Sequence, residues 1–147
     1  MIFLLIFTVV LAIFIRIVAH LITRRGPRVI KFVGPRGAGK TKTLNALMGI
    51  HGRTVPTLES YKVIYKGMEI HDVIPKDGSF FERYGIDDPS ATYFFFLRSM
   101  DDSYGIPGAK GLNVRLVYCQ PYDGKEALER GVLVLDKDLT HIEKYFS

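Results

Sequence analysis

Cysteine is nearly missing from this chain: Cys119 is the only one in 147 residues. No intrachain disulfide can form, which fits a reducing compartment. Acidic residues are missing from the first 28 positions, where four arginines stand. The net charge of +5 is therefore unevenly spread, because positions 29–147 hold 16 basic against 15 acidic side chains. A domain so nearly neutral, with no basic, aromatic-studded strand, argues against direct nucleic-acid binding. The excess near the N-terminus suits anionic lipid headgroups instead. Beyond the first thirty residues there is no internal repeat and no low-complexity segment.

Those first residues read MIFLLIFTVVLAIFIRIVAHLI over 1–22, with only Arg16 and His20 strongly polar. As a helix the stretch spans roughly 33 Å, against a hydrocarbon core of about 30 Å. Arg16 lies toward the C-terminal end, where its stem can lift the guanidinium to the headgroups. A cleaved signal peptide would show a positive n-region and a small-x-small cleavage site. Here Met1 runs straight into apolar residues, and His20-Leu21-Ile22-Thr23-Arg24-Arg25 comes after them. A buried core helix would need a polar face to meet water, and none exists. The expected organisation is a membrane anchor over 1–22, a basic linker over 23–28 and one domain over 29–147. Arg24, Arg25, Arg28 and Lys31 crowd the C-terminal flank, so the positive-inside rule leaves the domain in the cytosol.

Within the domain, Gly34-Pro35-Arg36-Gly37-Ala38-Gly39-Lys40-Thr41 matches the P-loop pattern G-x-x-x-x-G-K-[ST] at every specified position. A β-branched and aromatic run over 28–33 precedes it, and Leu44, Leu47 and Met48 come after it at helical spacing. Glycines let successive N–H groups converge on one anion at a helix start. Lys40 adds a full charge at the β- and γ-phosphates, and the Thr41 hydroxyl suits a Mg²⁺ that also holds phosphate oxygens. The bland alternative is a glycine-rich turn that binds nothing.

The rest alternates strands and helices, the pattern of an α/β layer structure. Residues 61–65 and 68–73, separated by Lys66-Gly67, read as an antiparallel hairpin. A short helix is expected near Phe80-Phe81-Glu82-Arg83. The unbroken apolar run 91–97 suits a central strand covered on both faces, its aromatics serving as core rather than as a stacking platform. Residues 101–111, with Gly105, Pro107, Gly108 and Gly111, read as a loop. A strand over 114–119, a short helix over 125–130, a strand over 132–135 and a closing helix over 140–146 complete the chain. Gln120-Pro121-Tyr122-Asp123 then falls at a strand's carboxyl end, where ligands bind in open α/β sheets.

Taken together, anchor, basic flank, P-loop, hairpin and this last tetrapeptide resemble the beta subunits of the signal recognition particle receptor. These are Arf-like small GTPases held at the endoplasmic reticulum by one N-terminal span. The resemblance covers essentially the whole chain and implies a small-GTPase fold: a mostly parallel sheet, one antiparallel edge hairpin, and helices on both faces. It implies GTP and Mg²⁺ as ligands. Gly34, Pro35, Arg36, Gly37, Ala38, Gly39, Lys40, Thr41 and Lys42 would hold the phosphates, and Thr41, Thr57 and Asp72 the metal. Pro56-Thr57 corresponds to switch I, and Asp72-Val73-Ile74-Pro75 to Asp-x-x-Gly with a proline that has no N–H for a γ-phosphate. Gln120 and Asp123 correspond to the guanine-reading motif, with Pro121 in place of its lysine. The final base-covering loop has no clear counterpart around Asp136-Lys137-Asp138. The implied partner is the N-terminal domain of the receptor alpha subunit.

Three functions compete on this sequence. One is a GTP-regulated tether; another is a pseudo-GTPase adaptor with no switching; the third is an anchored P-loop ATPase or phosphotransferase. The last usually needs a cluster of lid arginines, and those after position 31 are scattered. If residues 1–22 anchor the chain, alkaline carbonate will not release the intact protein from membranes. On sealed vesicles, added protease will digest the domain. Release by carbonate, or a protected domain, would show the anchor or its orientation to be wrong.

Overall fold

The computed structural model describes residues 1–23, 26–55, 58–108 and 110–147, save the side chains of Thr23 and Tyr104. Its first element is helix α1 (Ile2–Thr23). The stretch Ile2–Ile22 has a mean hydropathy of 3.0, and none of it is buried against the protein. Among the described residues this is the one helix long and apolar enough to cross a membrane.

The remaining elements form one layered unit. In chain order they are β1 (Val29–Val33), α2 (Lys40–Leu47), β2 (Tyr61–Tyr65), β3 (Met68–Asp72), α3 (Phe80–Tyr84) and β4 (Thr92–Phe96). Next come β5 (Asn113–Tyr118), α4 (Gly124–Glu129) and β6 (Val132–Val134). The six strands make one sheet in the order β2-β3-β1-β4-β5-β6. Every neighbouring pair is parallel except β2 with β3. The expected edge hairpin is present, and Lys66 (φ 48°) and Gly67 (φ 77°) both take the left-handed conformation its two-residue turn requires.

Burial follows from the parallel arrangement, in which both faces of a central strand are covered. All five β4 residues are buried. Phe94 and Phe96 face one way with Ile30, Phe32, Ile70 and Val117, under Leu44 and Leu47 of α2 and Ile142 and Phe146 of the C-terminal segment. Tyr93 and Phe95 face the other way with Val33, Met100 and Ala127, where Phe80, Phe81 and Tyr84 of α3 also pack. Helices thus lie on both faces, as expected. The buried Tyr93 hydroxyl accepts from the N–H groups of Asp87 (3.2 Å) and Asp88 (2.8 Å), which satisfies it in the core.

Two expectations need correction. The loop read over 101–111 begins instead as a 3-10 helix over Met100–Gly105. Ser99 starts it: its hydroxyl accepts from Asp101 N–H, and the Asp102 carboxylate accepts from Ser99 N–H. The closing helix is also a 3-10 helix, Leu139–Tyr145, started by Asp138, whose carboxylate accepts from Thr140 N–H at 3.0 Å.

The core assignment can be checked by truncation. Phe94→Ala removes a ring packed 6.0 Å from Phe32 and 5.6 Å from Phe146. It should lower unfolding free energy by about 3–5 kcal/mol in a denaturant titration. Ile64→Ala, on a side chain 62% exposed, should stay within about 0.5 kcal/mol.

Candidate functional site

Strand β1 sits between β3 and β4, so the chain leaves its carboxyl end where the strand order reverses direction. That is the position at which open α/β sheets bind ligands. Two glycines make the exit possible. Gly34 has φ 131°, and a Cβ there would lie 2.5 Å from the carbonyl oxygen of Phe96 at the end of β4. Gly39, the residue that caps α2, has φ 102° and packs against Cys119 just past β5. Residues with side chains would be strained at either φ, and at position 34 a side chain would also collide with backbone.

The first turn of α2 then opens into a cavity of about 320 Å³. Arg36, Gly37, Gly39, Lys40, Thr41 and Lys42 line one side, and Thr54, Val55, Asp72, Ile74 and Pro75 the other. Lys40 is only 7% exposed. Its ammonium donates to the carbonyls of Gly34 and Pro35, both at 2.9 Å, which holds it over the loop. Asp72, 1% exposed, ends β3 beside it and accepts from the Thr41 hydroxyl at 2.5 Å. Ile74 N–H donates to the Ser60 hydroxyl at 2.8 Å, tying the β3 exit to the segment that enters β2.

The charges of this cluster are poorly compensated by the protein alone. Burial lowers the pKa of Lys40; Asp72 pulls it back up, and Arg36 pushes it further down. Burial raises the pKa of Asp72, against the Thr41 hydrogen bond and the Lys40 charge. Each group is thus driven toward neutrality. The cavity therefore favours an anion beside Lys40, Arg36 and Lys42, where helix N–H groups also point. It favours a cation beside Asp72 and the Thr41 hydroxyl. A polyphosphate with a divalent metal has that distribution of charge, so the donor set fits such a pair.

The structure brings Gly34 through Lys42 and Asp72 together as one cluster. Gln120 and Asp123 lie on the same carboxyl edge, after β5, but do not line the cavity. Both are exposed. Asp123 is the N-cap of α4, its Oδ1 accepting from the N–H groups of Lys125 and Glu126 at 2.9 Å each. Gln120 accepts from the Tyr118 hydroxyl at 3.4 Å. Thr57 and its neighbour Pro56 lie outside the described residues, as do Arg24 and Arg25 of the linker.

Sequence reasoning missed Cys119 as a neighbour of the site. Its thiol lies 3.7 Å from the Thr43 hydroxyl, and burial raises its pKa against that contact and the nearby Lys42 charge. No local signal points to it, because the approach joins segments 76 positions apart. No protein-family model matches the chain, and no match to it was found among curated proteins.

The raised pKa of Asp72 predicts a pH signature in the ligand-free protein. A carboxyl whose folded pKa exceeds its unfolded one binds more protons folded, so its ionisation costs stability as pH rises through that window. Asp72→Asn should therefore raise the denaturation midpoint at neutral pH. The gain should vanish as pH falls below the ordinary carboxylate range, where Asp72 is neutral in both states. A variant less stable at neutral pH would contradict the burial argument.

Proposed function

We propose that this chain is a membrane-anchored, GTP-binding P-loop protein of the small-GTPase fold, acting as a nucleotide-dependent dock. The carrying observation is the convergence of the Lys40 ammonium, the Thr41 hydroxyl and the Asp72 carboxylate in one cavity at the carboxyl edge of β1. In this reading the loop from Gly34 to Thr41, with Lys42, cradles the phosphates, while Lys40 and Arg36 offset their charge. Thr41 and Asp72, together with Thr57, hold Mg²⁺. The bound metal ion would supply charge neutralisation between phosphate oxygens and the Asp72 carboxylate. Asp123 and Gln120 face the base.

The single-pass anchor, the alternating sheet with its edge hairpin and the order of motifs support a role like that of the signal recognition particle receptor beta subunit. The partner is then the N-terminal domain of the receptor alpha subunit, docked at the cytosolic face of the endoplasmic reticulum for co-translational targeting. Hydrolysis is expected to be very slow without a partner. A small GTPase usually positions its attacking water with a glutamine just after Asp-x-x-Gly, and here Lys76 comes after Pro75.

Two observations favour the adaptor form of the same proposal, in which nucleotide is bound without switching. Pro75 lines the cavity with no N–H to offer a γ-phosphate. The Oδ1 atom of Asp123 is already engaged as a helix cap. Titration of the purified chain with GTP and ATP, each with Mg²⁺, tests the reading. GTP should bind more tightly than ATP. Lys40→Ala removes a charge-assisted contact of roughly 1.5–3 kcal/mol, which weakens binding roughly 10- to 150-fold. No binding of either nucleotide would overturn the proposal, and equal affinities would remove its guanine assignment. Equal recovery of alpha subunit by GTP-loaded, GDP-loaded and Lys40→Ala protein would leave a static tether.

A further inference from the structure

We infer that the amino-terminal rim of the sheet faces the lipid headgroup layer into which α1 inserts, so that the phosphate cavity opens away from the bilayer. The inference rests on the reading of α1 as a membrane span and extends it to how the domain is held.

The chain itself sets the distance. From Thr23, the last residue of α1, to Arg28 there are five residues, which stretch to roughly 17 Å at most. The headgroup layer occupies about 5–8 Å of that reach. Arg28 is fixed to the domain on both sides. Its guanidinium donates to the carbonyl of Phe146 at 2.7 Å, and its own carbonyl accepts from Glu69 N–H at 2.9 Å. Phe146 is itself a core residue, 3% exposed and packed on Phe32 and Phe94. The tether therefore ends at a rigid point, the amino end of β1, and no slack from the domain adds to its length.

Because β1, β3, β4, β5 and β6 are parallel, all their amino ends share this rim. The glycine-rich loop leaves the opposite end of β1, about 13 Å further along the strand. The exposed cations on the rim are Arg28, Lys66 in the hairpin turn, Lys110 before β5, and Lys144 beside Phe146. Against them stand the carboxylates of Glu143, bonded to Lys66 and to the Tyr65 hydroxyl, of Asp87, paired with Lys31, and of Asp88, bonded to Ser90. Glu129 is exposed. Bases and acids on the rim are thus close to balanced, and it is the length of the tether that keeps the rim beside the headgroups.

Full-length protein in vesicles tests this directly. In a Cys119→Ala background, or Cys119→Ser if that variant folds poorly, a single fluorophore is placed at Lys110→Cys on the rim. A second protein carries it at Arg98→Cys, two residues beyond the carboxyl end of β4. Spin-labelled headgroups should quench the label at position 110 several-fold more than the label at 98. The difference should appear in vesicles of phosphatidylcholine alone as well as in those containing phosphatidylserine, because the tether and not the charge of the rim sets it. Chain lost from the vesicles on flotation would defeat the anchor reading and this inference with it. Chain retained but quenched equally at both positions would defeat the orientation alone, and a difference seen only with phosphatidylserine would defeat the tether as its cause.

Discussion

The tightest constraint in this molecule is the crossing of Gly34 over the end of β4. A Cβ at position 34 would meet the Phe96 carbonyl oxygen at 2.5 Å. Backbone cannot yield there as a flexible side chain could, so the loop leaves β1 flush against its neighbour only because this residue is glycine. The geometry of the whole cavity depends on that exit. The turn brings Lys40 back over the carbonyls of Gly34 and Pro35, and α2 begins with its N–H groups at the switch point of the sheet. A wider exit would carry Lys40 and Thr41 away from Asp72, and the cluster would separate.

The buried sheet and the polar site support each other through two neighbouring residues. Phe32 and Asp72 are paired in register across β1 and β3. Phe32 faces the core under α2, while Asp72 ends its strand beneath the same helix, where Thr41 reaches it. Packing of Leu44 and Leu47 sets the height of α2 over the sheet and hence the Thr41–Asp72 distance. The apolar contacts supply the stability that holds two ionisable groups in a place neither favours by itself, a common pattern at binding sites.

Most of the fold was legible because its signals are local. The helix after the glycine pattern, the buried strand β4 and the Lys66-Gly67 turn are each signalled within a few residues, and each is present in the structure. Short-range capping was readable too but overlooked: Ser99 with Asp102 forms the serine-x-x-acid signature that starts a 3-10 helix in a stretch read as loop. Asp123 with Glu126 has the same spacing, and the structure uses Asp123 as a cap. The sequence could not disclose contacts that join distant segments. Cys119 meets Gly39 only because β5 ends beside the loop, and Arg28 meets Phe146 across 118 positions. Asp72 at Thr41 was expected only through a family resemblance, since no periodicity places the end of one strand under a helix 31 residues earlier.

The arrangement also separates two tasks along a single strand. At its amino end β1 is held to the C-terminal segment, where Arg28 donates to the Phe146 carbonyl. At its carboxyl end the same strand presents the loop. The five-residue strand between them keeps the Arg28 contact apart from the Lys40–Asp72 cluster. The far wall of the cavity is made by Thr54 and Val55 before β2 and by Ile74 and Pro75 after β3. The Ser60–Ile74 hydrogen bond joins the entry of β2 to the exit of β3 beside this wall.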